Sequence, residues 1–182
     1  MNLQLKDKVT VITGHAKGMG RAVTLAFAQE GATLVLAGRD IKAIELVATE
    51  AQALGANVLV VPCDMTDAEQ TEALAVAAIQ RFGRIDILVN VAGGSGPIGK
   101  TGWETTAAEF SAIVELNMTG CFNTMHAVLP GMVERKSGKV VNVGGTFGMR
   151  GRAGRTAYSA SKWGLRGITK SFALEAGPYG IN

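Results

Sequence analysis

The 182-residue chain has only two cysteines, Cys63 and Cys121, and neither has a second cysteine or a histidine at metal-ligand spacing. No disulfide framework and no metal site is expected, and both thiols read as free and buried. Long apolar runs are missing too. None approaches the roughly 18 residues that span a bilayer, and residues 1–8 lack the apolar core of a signal peptide. This predicts a cytoplasmic location and no membrane partner. Charge is sparse, with 18% charged residues and a net charge of +3. That balance suits an anionic cofactor and is too small to argue for nucleic acid. There is no internal repeat, low-complexity tract or linker, so a single domain over residues 1–182 is expected.

What the chain does have is apolar residues, at 47%, and 24 glycines, which suit many tight strand-to-helix turns. Short β-branched runs predict strands at Val9–Thr13, Thr33–Ala37, Asn57–Pro62, Ile85–Val91 and Lys139–Val143. Each is nearly all apolar rather than alternating, the pattern of strands buried on both faces of a parallel sheet. Helical patterns lie between and after them, at Gly18–Glu30, Ile41–Leu54, Ala68–Phe82, Ala107–Arg135 and Tyr158–Ala176. Two capping boxes, Thr66-x-x-Glu69 and Thr106-x-x-Glu109, mark helix starts. Strict alternation implies an α/β fold: a doubly wound parallel sheet in a Rossmann-like three-layer αβα sandwich. In such sheets ligands bind beyond the carboxyl ends of the strands, where the irregular stretch Gly93–Trp103 would lie.

The first strand runs into Thr13-Gly14-His15-Ala16-Lys17-Gly18-Met19-Gly20. Glycines there permit a tight turn and close approach of backbone to a pyrophosphate, and the following helix offers free N–H groups to the anion. Gly14, Lys17, Gly18, Met19 and Gly20 are accordingly cofactor-binding candidates. The second strand ends Ala37-Gly38-Arg39-Asp40. An acid at the strand end grips a ribose 2′-hydroxyl, whereas an arginine accommodates a 2′-phosphate. Gly38 stands where the acid is expected, and Arg39 and Lys17 supply two cations, which favours NADP(H) over NAD(H). The alternative is a solvated Arg39 with Asp40 on the ribose.

The third feature is Tyr158-Ser159-Ala160-Ser161-Lys162. Residues four apart on a helix share a face, about 6 Å apart along the axis. A cation held there favours the phenolate, which makes the phenol a general acid or base.

With these residues in place, the chain resembles the short-chain dehydrogenase/reductase family from about Lys6 onward. The resemblance is carried by Thr13–Gly20, by Asp64 after the third strand, by Asn90-Val91-Ala92-Gly93 after the fourth, by Asn117, and by Tyr158 with Lys162. It implies an oxidoreductase passing hydride between NADP(H) and a ketone or secondary alcohol. Tyr158 would move the proton, and Lys162 would hold the nicotinamide ribose as well as tune the phenol. Asn117 would bind a water leading to Lys162. Asp64 would accept from the adenine amino group, Asn90 would steady the central strands, and Ala92 and Gly93 would lie against the cofactor. A homo-oligomer, dimer or tetramer, is implied through the two long helices, where Gly164, Gly167 and Ala173 would permit close approach.

Two departures from the family pattern stand out. The family places a serine thirteen residues before the tyrosine, and counting back from Tyr158 gives Gly145. Thr146 follows and is the replacement hydroxyl expected here; the rival is a nucleotide-binding module with weakened catalysis. The family also continues for several dozen residues beyond Ile181-Asn182, which read as the opening of another strand, so the domain is expected to be truncated at its C-terminus. Arg150, Arg152 and Arg155 either grip a substrate anion or form an exposed loop or subunit contact. They keep a 3-oxoacyl-carrier-protein reductase open as a second enzymatic reading. Trp103 and Phe147 are candidates to line an apolar part of the pocket.

Overall fold

Five strands form one parallel sheet in the computed structural model, which describes residues 3–182; Met1 and Asn2, part of the N-terminal stretch read above, lie outside the described residues. The strands are β1 (Val9–Thr13), β2 (Thr33–Gly38), β3 (Val58–Pro62), β4 (Ile87–Asn90) and β5 (Lys139–Asn142), in the spatial order β3-β2-β1-β4-β5. The order reverses between β1 and β4, so a crevice opens above their carboxyl ends. In register, Thr13 pairs with Ala37 on one side and Asn90 on the other, and Asn90 pairs with Asn142. The residues that follow these four positions therefore converge at one edge.

Side chains alternate between the two faces along each strand. Val11, Val35 and Leu88 enter one core with Leu74, Met125 and Leu129, while Ile12, Leu34 and Leu36 enter the other with Ala28 and Ile44. Helices α1 (Gly18–Gln29) and α2 (Ile41–Ala53) cover the second face; α3 (Ala68–Phe82), α5 (Gly120–Arg135) and α6 (Thr156–Ala176) cover the first. Leu34, Leu36 and Leu88 are fully buried; each such side chain contributes about 1.5–3 kcal/mol relative to an exposed one. The outer strands are less enclosed than their composition predicts. β3 is only partly buried, and β5 alternates, with Val141 half exposed. Ile181 bridges Gly138 in parallel, and the Asn182 carbonyl accepts from Val140 N–H at 2.8 Å, so the last two residues lie along β5.

Two local expectations change. The Thr66 capping box does not form. Asp67 caps α3 instead, accepting from the Glu69 and Gln70 N–H groups, and Thr66 bonds back to Asp64. The box at Thr106 and Glu109 does form, at the start of α4 (Ala107–Val114). The single helix expected over 107–135 is broken into α4 and α5 by a π turn, Glu115–Thr119, with Asn117 buried inside it. Gly164, expected at a subunit contact, is used internally: a β-carbon there would lie 2.2 Å from Met118 Sδ.

Candidate active site

One cleft of about 660 Å³ runs over the carboxyl ends of β1, β2 and β4. At one end lie Gly14, Lys17, Met19, Gly20, Arg39 and Asp64; at the other lie Ala92, Gly93, Gly145, Tyr158 and Lys162. The sequence thus brings its glycine loop and its Tyr–Lys pair to the same opening.

The loop is glycine by necessity at two positions. Gly14 has φ of 72°, and a β-carbon there would meet Ala92 backbone at 2.4 Å. A β-carbon on Gly20 would sit 2.0 Å from the Gly14 carbonyl. Gly18 also has positive φ and nothing within 4 Å, which leaves open space over the helix start. Backbone this exposed at the N-terminus of α1 offers donors to an anion.

At the second-strand end, Asp40 caps α2, accepting from Ala43 N–H at 3.1 Å. Arg39 is mostly exposed and lies 3.5 Å from the Asp64 carboxylate. Asp64 is held below the usual carboxylate range, first by the Thr66 N–H bond and also by Thr66 Oγ1 and Arg39. Sequence reasoning missed His15, which is buried beneath Gly38: a β-carbon on Gly38 would lie 3.9 Å from His15 Cε1. Its Nδ1 donates to the Ile12 carbonyl at 3.2 Å, and burial pushes its pKa down, which keeps the ring neutral.

At the other end, the Lys162 ammonium donates to the Val143 carbonyl at 2.8 Å and stands 5.9 Å from the Tyr158 ring centroid. Burial lowers the Lys162 pKa. Asn90 and Asn142 brace this end. Asn90 Oδ1 accepts from Thr124 Oγ1, and its Nδ2 donates to Asn142 Oδ1, each at 2.9 Å; Asn142 in turn donates to Thr169 Oγ1 on α6 at 2.9 Å. The Asn117 side chain bonds to groups of the protein itself. It accepts from Gly94 N–H at 2.8 Å and donates to the Gly94 carbonyl at 2.9 Å and to Ser161 Oγ at 3.0 Å. Ser161 Oγ donates onward to the Tyr158 carbonyl. Asn117 therefore ties the loop after β4 to α6. Ser161, three residues past the tyrosine, was legible only as a helix residue.

Gly145 faces the Tyr158 hydroxyl, and Gly144 and Gly145 line the cleft. Thr146 begins a short 3₁₀ turn, is exposed, and is not among the cleft's lining residues. The structure does not bring its hydroxyl to the site. Trp103 is 89% exposed, and neither it nor Phe147 is among the cleft's lining residues; Phe147 meets Tyr158 edge to face at 6.2 Å. Both cysteines are free and buried, and burial pushes each thiol up to about 11. No group of metal-ligating side chains occurs, and no helix is long and apolar enough to cross a membrane, among the described residues.

The family model for the short chain dehydrogenase matches residues 8–182. The chain belongs to the short-chain dehydrogenase family. Membership makes it an NAD(P)-dependent dehydrogenase or reductase. Levodione reductase of Leifsonia aquatica is 41% identical over 179 residues, 96% of this chain and 66% of that protein. The 3-oxoacyl-(acyl-carrier-protein) reductase of Thermotoga maritima is 37% identical over 175 residues, 95% of this chain and 70% of its own length. A crystal structure of NAD+-bound xylitol dehydrogenase superposes with a TM-score of 0.95 at 28% identity, covering 98% of this chain and 68% of that one. The chain therefore spans about two thirds of the length of these short-chain dehydrogenases.

Proposed function

We propose that the protein is an NADP(H)-dependent oxidoreductase acting on a ketone or the corresponding secondary alcohol. The observation that carries this reading is the shared cleft: the glycine loop and the Tyr158–Lys162 pair open onto one cavity. When bound, the dinucleotide supplies or takes up the hydride. Gly14 and Gly20 leave room for its pyrophosphate against the α1 N-terminus. Lys17 and Arg39 meet a 2′-phosphate, and one Asp40 carboxylate oxygen is drawn into the α2 cap. Asp64 retains a role on the adenine edge.

In the reductive direction Tyr158 gives its hydroxyl proton to the substrate oxygen as the carbonyl carbon becomes an alcohol carbon. In the oxidative direction the phenolate takes that proton back. The Lys162 ammonium is fixed by the Val143 carbonyl on the same side of the cleft as Tyr158 and would hold the ribose hydroxyls. Asn90, Ala92, Gly93 and Asn117 keep the floor of the cleft in place. A cytoplasmic location and a homo-oligomer built on α5 and α6 belong to the same reading.

A second reading, a nucleotide-binding module with weakened chemistry, is favoured by the glycine at 145. Substrates of the 3-oxoacyl-(acyl-carrier-protein) class are the enzymatic alternative. NADPH consumption across a ketone panel, with Tyr158→Phe as the control, tests the first reading: turnover that Y158F abolishes is the expected result. Equal turnover by both proteins overturns it, and cofactor binding without any turnover favours the module.

A further inference from the structure

Arg155 precedes α6 and lies against the proposed proton donor. Its guanidinium carbon is 4.8 Å from the Tyr158 ring centroid and 6.0 Å from that of Phe147. The Arg152 guanidinium lies 5.1 Å from the Phe147 ring. Two cations and two aromatic rings thus form one cluster behind Tyr158, the one member of it that lines the cleft.

A guanidinium has five donors and no acceptor. The Arg155 side chain makes no hydrogen bond or ion pair among the described residues, and its Nε is buried without a partner. A partly buried cation left unpaired is costly unless something arrives to pair with it. The neighbouring acids are not free to do so. Gly99 N–H donates to the Gly154 carbonyl, so the segment after β4 packs beside this loop. Its carboxylates are engaged: Glu104 accepts from Thr101, and Glu109 accepts from Lys100 and Thr106. Arg150 adds a third cation, and no acid lies between 150 and 155. A guanidinium holds its donors in a planar fork that takes a carboxylate through two parallel bonds.

We propose that Arg155, supported by Arg152, is a carboxylate-binding subsite and that the substrate is a keto acid or the hydroxy acid formed from it. This rests on the oxidoreductase reading above and names its substrate class. The Tyr158 hydroxyl sits at the rim of the ring that Arg155 stacks on, so a carboxylate a few carbons from the carbonyl spans both groups. Anchoring one end of the substrate orients the carbonyl toward Tyr158. At Gly145 the side-chain donor that would otherwise share this task is absent.

The test compares kcat/KM for 2-, 3- and 4-keto acids with their methyl esters, in wild type, R155M, R155Q, R155K and R152Q. Wild type is expected to favour at least one acid over its ester by about tenfold or more, the scale of a charge-assisted bidentate contact. R155M and R155Q bring that ratio toward one, R155K retains part of it, and R152Q lowers it less. A ratio that stays unchanged in R155M, or a wild type that prefers every ester, overturns the proposal. Misfolding lowers both rates and leaves the ratio intact. Esters reduced without acid preference sink this proposal alone. If neither class is reduced, the oxidoreductase reading fails, and calorimetric titration with 3-hydroxybutyrate decides the subsite separately. Binding lost in R155M supports it, and no binding by wild type overturns it.

Discussion

Gly145 stands opposite the Tyr158 hydroxyl: a β-carbon at 145 would lie 3.2 Å from that oxygen. Its φ of 167° is extended backbone that any residue adopts. A serine therefore fits with a displacement of a few tenths of an ångström by the phenol, and its Oγ would lie beside the substrate oxygen. Removing one preorganised donor of this kind costs on the order of 10²–10³ in kcat. G145S is expected to raise kcat on a neutral ketone toward that range, measured by NADPH oxidation. An unchanged kcat would show that substrate positioning is already complete without a hydroxyl.

On the proposed reading, coenzyme choice rests on Arg39 and Lys17, with Gly38 as the last residue of β2. R39A and K17A are each expected to raise KM for NADPH by roughly tenfold, the scale of one lost charge-assisted phosphate contact, while KM for NADH moves little. Steady-state kinetics with both coenzymes reads the ratio. Equal losses on NADPH and NADH would move the 2′-phosphate contact elsewhere.

Asn142 connects the sheet to the catalytic helix. It accepts from Asn90 and donates to Thr169, and the next residue supplies the carbonyl that holds Lys162. N142A leaves the buried Asn90 amide unpaired, at a cost of about 1–3 kcal/mol. For a chain of this size that lowers Tm by roughly 2–4 °C per kcal/mol, observable by calorimetry. The loosened Val143 carbonyl should lower kcat with a smaller change in KM. Retained Tm and kcat would show that the network is not structural.

Glu109 provides a pH signature. The Lys100 ammonium, first, and then the Thr106 N–H hold its carboxyl at about 2, against an ordinary value of 4.5. An acid depressed in the folded state stabilises above its unfolded value and loses that contribution as pH falls through the folded one. Thermal stability should therefore decline from about pH 4.5 toward pH 2, and E109Q should flatten that part of the Tm–pH curve. A wild-type curve identical to that of E109Q would dismiss the pairing in solution.

Residues 13–20, the alternating strands and helices, and the Tyr158–Lys162 spacing were legible in the chain because their requirements are local. Gly14 and Gly20 answer to backbone clearance, apolar runs to burial on two faces, and a four-residue interval to helical pitch. The cap of α3 was misplaced by one residue because Thr66 and Asp67 both carry capping oxygens, and Thr66 is drawn back to Asp64. The break at Glu115–Thr119 is marked in the chain only by an asparagine inside a helical pattern, a mildly unfavourable residue there; it follows from Asn117 reaching Gly94 and Ser161 on other elements.

The sequence by itself determined the order of strands and helices, the glycine loop at the head of α1 and the Tyr158–Lys162 spacing on α6, since each depends on neighbours within a few residues. Only the tertiary structure decided that Thr146 is exposed outside the cleft lining, that His15 lies under Gly38, and that Arg155 lies over the Tyr158 ring with no side-chain partner among the described residues. Those relationships join segments whose separation in the chain says nothing of their distance in space; packing of the sheet against α6 and the β4–α4 loop sets it.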